Sequence, residues 1–135
     1  FAGVALLLSQ DGSFTAAIAG HPPVLRVDPA GSVVERFGRG AYPLGIKQTQ
    51  TYGVEEGRLG SGELLLLHSD GLPEARNAEG REFGDARILP VLARTAGRPA
   101  SEVAAALSRE VLDFLGRRPV GDDVSIAVLR RAPAA

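Results

Sequence analysis

The stretch LLLLHSDGLPEA, residues 64–75, carries the strongest structural signal in this chain. Its four consecutive leucines are too apolar for a strand with one face in water, so they predict a strand that is covered on both sides. The run ends abruptly at Ser69, Asp70 and Gly71. A carboxylate at the end of a buried strand is costly without a partner, so Asp70 either caps the following turn or belongs to an acidic site. A second acidic segment, GDD at residues 121–123, favours the acidic site.

Length and composition are those of an ordinary globular protein. The 135 residues suffice for one domain with a core, and 44% of them are hydrophobic and 23% charged. A net charge of −1 with scattered arginines gives no indication of binding to nucleic acid or to an anionic membrane surface. The absence of cysteine excludes disulfides, zinc–thiolate sites and cysteine nucleophiles. No run reaches the roughly 18 apolar residues that a membrane span needs, so a cytoplasmic protein is expected.

The two ends of the chain carry separate expectations. Phe1 opens directly into a strand-like run, and no signal segment is expected before it. We therefore expect residues 1–135 to be a portion of a longer polypeptide. Residues 130–135 are expected to form a disordered end.

The first half of the chain reads as strands. Apolar runs separated by turn residues predict a β-hairpin over residues 3–19 and strands over 24–27, 33–37 and 49–59. The leucine strand follows, and a final strand is predicted over 124–129.

Two helices are predicted between the last two strands. The first should run over residues 86–95, with Asp85 as its cap and Pro90 as a weak point. In the second, an apolar residue recurs every four positions and Gly116 marks the end. The members of this apolar stripe are Val103, Leu107, Val111 and Leu115. Strands followed by a helix pair are typical of an α+β fold with helices on one face of an antiparallel sheet.

The helix pair should bring the two acidic segments together. Two helices joined by a short loop run antiparallel, so the chain returns close to the point where it left the leucine strand. Asp70 ends that strand, and Asp122 and Asp123 precede the last one. Oxygen ligands without His or Cys suit a hard ion, Mg²⁺ or Mn²⁺. The other interpretation, two unrelated capping or turn aspartates, stays open at this point.

Four segments, in this order, resemble the C-terminal portion of the SpoIIE-like (stage II sporulation protein E) branch of the type 2C (PPM) metal-dependent serine/threonine phosphatases. Single dipeptides in them are common, but their order and spacing together are specific and span nearly the whole chain. They are AGHPP at 19–23, PLG at 43–45, SDGLPEARN at 69–77 with Phe83-Gly84, and GDDVS at 121–125.

The resemblance implies an α-β-β-α sandwich with a dinuclear Mg²⁺ or Mn²⁺ site at one end of its two sheets. Asp70, with Gly71 beside it, matches the family's metal-bridging Asp-Gly motif, and Asp122 matches another ligand. The resemblance implies that Asp123 is either a metal ligand or a residue that supports the ligands without contacting the metal. It implies that Glu74 is an acidic residue linked to a third metal. His21 matches a segment at the edge of the active site, where a hydrogen bond that holds a loop is favoured over catalysis. His68 is expected to be a buried strand residue.

One departure from the family pattern is large. The family domain begins with a further portion that carries a Gly-Asp metal ligand and an Asp-x-Ser-Gly segment, and nothing in this chain matches either. The helices that would cover one sheet face are also missing. Residues 1–135 are therefore expected to be the C-terminal portion of one such domain, catalytically incomplete when isolated.

The resemblance also implies a function. It implies hydrolysis of phosphoserine or phosphothreonine in a protein by a water that two metals activate, in bacterial signalling or sigma-factor regulation. The implied partner is a phosphoprotein such as an anti-sigma-factor antagonist. The competing hypothesis is a non-catalytic interaction or dimerisation module derived from this fold. An uncovered sheet face predicts self-association of the isolated chain into a homodimer or larger species.

Overall fold

A computed structural model describes residues 1–38 and 40–134 of the chain. The strands are β1 (Gly3–Leu8), β2 (Ser13–Ala19), β3 (Val24–Val27), β4 (Val33–Phe37), β5 (Val54–Arg58), β6 (Leu64–His68) and β7 (Ile126–Arg130). Two helices, α1 (Gly84–Thr95) and α2 (Ala100–Leu115), lie between β6 and β7 in the sequence. The predicted order of strands, helix pair and last strand is therefore confirmed.

The strands form two antiparallel sheets. One has the order β1-β2-β5 and the other the order β4-β3-β6-β7. The hairpin predicted over residues 3–19 is present, since β1 pairs with β2 from Gly3↔Ala19 to Leu8↔Phe14. The last two strands are also neighbours, and β6 pairs with β7 up to His68↔Ile126. This pairing is the one that a returning helix pair requires.

The leucine strand β6 is covered on both sides, as its sequence predicts. Leu64 and Leu66 belong to a core cluster that includes the apolar stripes of both helices. Leu65 belongs instead to the cluster between the two sheets, and Leu67 packs against it. Because successive side chains of a strand point to opposite faces, an unbroken leucine run can fill two cores at once. The result is three layers: helices, four-stranded sheet and three-stranded sheet.

The outer face of the three-stranded sheet is left open by the described residues. Leu7 and Val54 are 71% and 65% exposed there. A groove of about 370 Å³ in this region is lined almost entirely by apolar atoms. Its lining includes Phe1, Gly3, Ala5, Ala17, Ala19, Leu44 and Tyr52. The observed layers therefore match an α-β-β-α sandwich without the helices of its second outer layer.

Asp85 does not cap α1, contrary to the sequence prediction. The helix begins at Gly84 with Phe83 at the cap position and no side-chain cap hydrogen bond. Main-chain hydrogen bonds from Phe83 to Ala75 and from Gly84 to Pro73, at 2.8 and 2.9 Å, fix the entry instead. Asp85 lies in the first turn, with its carboxylate 3.4 Å from the guanidinium of Arg36.

The predicted disordered end at residues 130–135 is also wrong for most of its length. Arg130 lies within β7. The N–H of Arg131 donates to the carbonyl oxygen of Glu63 at 3.0 Å, and that of Ala134 donates to the Ser61 hydroxyl at 2.8 Å. Ala135 lies outside the described residues. The tail is ordered because it continues the pairing with the segment before β6.

Two strand boundaries differ from the prediction. The strand predicted over residues 49–59 is shortened to β5, and the last strand begins at Ile126, not at residue 124. Both shortened ends lie at the same edge of the sandwich, where loops take over from the sheets.

Candidate metal centre

The end of β6 and the start of β7 place the two acidic segments at one edge of the four-stranded sheet. The ladder closes with His68↔Ile126, and the N–H of Ser69 donates one further bond to the carbonyl oxygen of Ser125 at 3.0 Å. Asp70 follows this point on one strand, and Asp122 and Asp123 precede it on the other. The predicted convergence of the two segments is therefore present in the main chain.

Gly71 lies at a close contact between them. A Cβ atom at this position would overlap the carbonyl oxygen of Asp123 and would lie 3.4 Å from that of Asp122. The residue is buried. Glycine is needed here because the two backbones approach too closely for any side chain, and not because of an unusual dihedral angle.

The carboxylate of Asp70 is not used as a cap in the described part of the chain. The turn after β6 is closed by main-chain bonds, from Leu72 to Ser69 at 3.2 Å and from Glu74 to Asp70 at 3.1 Å. Asp70 is exposed, so its carboxylate faces solvent at the edge. Asp122 has a local role, because its Oδ1 accepts the N–H of Asp123 at 2.8 Å. The alternative that these aspartates are only capping or turn residues therefore fits the local hydrogen bond of Asp122 but does not fit Asp70.

The donor atoms at this edge suit a hard divalent cation but do not complete its site. Asp70, Glu74, Asp122 and Asp123 are exposed carboxylates, with main-chain carbonyl oxygens close by. Oxygen ligands of this kind fit Mg²⁺ or Mn²⁺. Among residues 1–38 and 40–134, however, no three acidic, His or Cys side chains are grouped closely enough to hold a metal ion. The residues present therefore fit a partial ligand set.

A cavity of about 340 Å³ opens beside the acidic edge, between the loop after β6 and the loop before β7. Gly71, Glu74 and Asp122 line it together with Arg76 and Arg118. The sequence interpretation treated the arginines as scattered and therefore missed these two. For Arg118, the Arg-Arg-Pro run at residues 117–119, separated from the GDD segment by Val120 alone, was the available signal. The cavity thus places cationic side chains next to the acidic ones.

Arg76 and Arg118 also hold the loops that carry them. Arg76 pairs with Glu82 at 2.6 Å. The Nη1 of Arg118 donates to the carbonyl oxygen of Asn77 at 2.8 Å, so it links the loop before β7 to the loop after β6.

The two histidines lie towards the same edge. His21 precedes β3, which runs antiparallel to β6, so it comes near the point where β6 ends. Its Nδ1 lies 2.8 Å from the carbonyl oxygen of Pro22. His68 is buried, as predicted, and its Nδ1 lies 3.0 Å from the carbonyl oxygen of Ser69. Burial lowers the pKa of His68, which favours the neutral ring.

The AGHPP and PLG segments also meet. The N–H of Gly20 donates to the carbonyl oxygen of Ala41 at 2.9 Å, and a Cβ atom at Gly20 would lie 2.7 Å from the Cα of Pro43. Gly20 has a φ of +58°, which favours glycine. All four segments that the sequence singled out are therefore brought into contact in pairs.

Comparison with known proteins gives a consistent result. The family model described as stage II sporulation protein E (SpoIIE) matches residues 2–132. Protein IcfG of Synechocystis sp. is 24% identical over 123 residues, which are 90% of this chain and 19% of that protein.

Two solved proteins are similar in structure. The RsbU and RsbW domains of Rv1364c from Mycobacterium tuberculosis superpose with a TM-score of 0.74 and 29% identity, over 99% of this chain and 38% of that one. The PP2C phosphatase domain of SpoIIE from Bacillus subtilis, with a fragment of its regulatory domain, gives 0.72 and 24%, over 90% and 34%. A Mn-presoaked structure of that phosphatase domain gives 0.69 and 20%, over 99% and 58%.

The chain spans 19% of the length of IcfG, and 38% and 34% of the lengths of the first two solved chains. Within the described residues, neither α1 nor α2 is long and apolar enough to cross a bilayer. The type 2C phosphatase fold expected from the sequence is confirmed by these structural matches.

Proposed function

This chain belongs to the stage II sporulation protein E (SpoIIE) family, and from that membership we propose that it is part of a metal-dependent protein serine/threonine phosphatase. In this proposal residues 1–135 form the C-terminal portion of one phosphatase domain. The match to the phosphatase domain of SpoIIE from Bacillus subtilis supports this, because 99% of this chain covers only 58% of that chain.

The proposed metal ligands are Asp70, Asp122 and Asp123, with Gly71 admitting the close approach of their backbones and Glu74 serving a third, weaker metal. Mn²⁺ or Mg²⁺, when bound, supplies an acidified water and neutralises the phosphate oxygens. The residues of this chain would bind and orient the cation: the carboxylates would hold it, and Gly71, which has no side chain, admits the close approach of the two acidic segments. The proposed role of His21 is to hold the loop at residues 20–23 at the edge of the site.

The proposed substrate is a protein phosphorylated on serine or threonine. The cavity beside the acidic edge supports this, because it is open and lined by both signs of charge. Arg118 lines it next to Asp122, so an anionic group held near the cation would also meet a guanidinium. By family resemblance we propose an anti-sigma-factor antagonist or a similar signalling protein in the bacterial cytoplasm.

One observation carries this proposal: the main chains of Gly71 and Asp123 are in contact, so that residues 52 positions apart form one acidic edge. The test is the full-length protein assayed with Mn²⁺ and a phosphoserine protein. Asp70→Asn should abolish phosphate release, because it removes the charge that holds the cation.

The matched control is Asp113→Asn, which removes an exposed carboxylate from α2 on the helix side. It should leave the rate unchanged. Full activity of Asp70→Asn would refute the assignment of the site.

A second candidate is a non-catalytic interaction or dimerisation module. Two observations favour it: the apolar outer face of the three-stranded sheet, and the lack of a three-ligand group among the described residues. This candidate expects no Mn²⁺ binding by titration calorimetry in the full-length protein, and a dimer or larger species of the isolated chain by light scattering. Mn²⁺ binding that Asp70→Asn removes would decide for the phosphatase.

A further inference from the structure

We propose that Ser69 is a positioning residue of the proposed metal site, and that its hydroxyl holds the main chain of Asp122 and Asp123 against the end of β6. The inference rests on the proposed function for its metal but on this chain's own contacts for its geometry. The Oγ of Ser69 donates to the carbonyl oxygen of Asp123 at 3.0 Å and accepts the N–H of Ser125 at 2.9 Å. One hydroxyl therefore binds the last residue of the acidic segment and the residue two positions beyond it.

The hydroxyl takes the place of main-chain pairing that the sheet can no longer supply. Regular pairing of β6 with β7 closes at His68↔Ile126. Beyond it, the carbonyl oxygens of Ser69 and Asp70 accept from Leu72 and Glu74 in the following turn. The strand has therefore turned away where the N–H of Ser125 needs an acceptor, and the Ser69 side chain provides one.

The other end of the same loop is held by Arg118, through its bond to the Asn77 carbonyl oxygen. Between these two anchors, among the residues that the structure describes, no main-chain hydrogen bond joins residues 119–122 to another element. The position of Asp122 relative to Asp70 therefore depends on the anchors at 69 and 118. Ser69 is adjacent in sequence to Asp70, so it links the two acidic segments most directly.

Gly71 and Ser69 both keep this distance short. Gly71 permits the approach because it has no side chain, and the Ser69 hydroxyl draws the Asp123 carbonyl in. Loss of the hydroxyl leaves two polar groups that are partly exposed to water, so the cost to folding is small. The expected loss is in metal affinity, since groups that orient metal ligands typically change it by about 10- to 100-fold.

The experiment compares Ser69→Ala and Ser69→Thr with wild type in the full-length protein. Mn²⁺ affinity is measured by titration calorimetry, and amide hydrogen exchange of residues 123–125 is measured without metal. Ser69→Ala should weaken Mn²⁺ binding by about tenfold or more and should speed exchange at the Ser125 amide. Ser69→Thr keeps the hydroxyl and should restore both values.

The matched control is Ser13→Ala. The Ser13 hydroxyl also makes a strand-end hydrogen bond, to Asp11 at 2.6 Å, but it lies at the start of β2, away from the acidic edge. It should change neither readout.

Wild-type Mn²⁺ affinity in Ser69→Ala, unchanged exchange at residues 123–125, or an equal effect in Ser13→Ala would each overturn the inference. If the wild-type protein itself binds no Mn²⁺, the proposed function fails and the positioning of a metal ligand fails with it. Faster exchange in Ser69→Ala would then still show that the hydroxyl holds the loop, so the two failures are distinguishable.

Discussion

Gly71→Ala should separate the two acidic segments without removing any charged group. The added methyl would overlap the carbonyl oxygen of Asp123 and would lie 3.0 Å from its carbonyl carbon. Both are backbone atoms, so no side-chain rotation can relieve the contact. The register of β6 with β7 is fixed by five residue pairs, so the loop at residues 119–125 should move and the strands should stay.

The cost follows from this geometry. Forcing an extra carbon into a filled space typically costs about 1–3 kcal/mol. At the roughly 4 °C per kcal/mol of a domain this size, the melting temperature should fall by about 4–12 °C. Displacement of the proposed ligands by an ångström should lower phosphatase activity by about 100-fold.

The assay pairs thermal unfolding with Mn²⁺-dependent phosphate release. Gly121→Ala is the matched control, because a Cβ atom at Gly121 meets no atom within 4 Å although the residue adjoins Asp122. It should stay within about 0.5 kcal/mol of wild type. Equal melting temperatures and equal rates of phosphate release for Gly71→Ala and Gly121→Ala would show that the two segments are not in contact in solution. The reasoning for the site would then fail.

Two further predictions concern the fold. Leu66→Ala should lower the free energy of unfolding in urea by about 2–5 kcal/mol, because Leu66 is fully buried against the helices. Leu112→Ala, at an exposed position of α2, should lower it little, and equal effects would contradict the burial of β6 on both sides. Hydrogen bonds from the Ser13 side chain and amide lower the pKa of Asp11 in the folded state. The ionised carboxylate therefore stabilises the folded state at pH values above the unfolded-state pKa of 3.8, and this contribution is lost as the pH falls through the lower folded-state pKa. The stability advantage of wild type over Asp11→Asn, measured by urea midpoints, should therefore shrink below about pH 4; a constant difference down to pH 2 would contradict this assignment.

The strongest local patterns predicted the elements correctly. An unbroken leucine run bounded by turn residues predicts a strand with two buried faces, and β6 has them. An apolar residue at every fourth position can only bury one side of a helix, and the stripe of α2 is buried in the core. Asp85 was misjudged because a capping residue type is common, whereas the helix start was set by main-chain bonds to residues 73 and 75.

The residue patterns by themselves determined the order of strands and helices and the return of the chain to the end of the leucine strand, because those depend on periodicity and on short connections. The sandwich layers and the roles of the acidic residues came from the family resemblance. Only the tertiary structure decided how closely Gly71 meets Asp123, and that Arg118 and the Ser69 hydroxyl hold the loop in between. Those contacts join residues about 40 to 55 positions apart, and no local pattern encodes them. They arise once the helix pair has returned the chain to the sheet, because the last unpaired polar groups at the edge must then find partners.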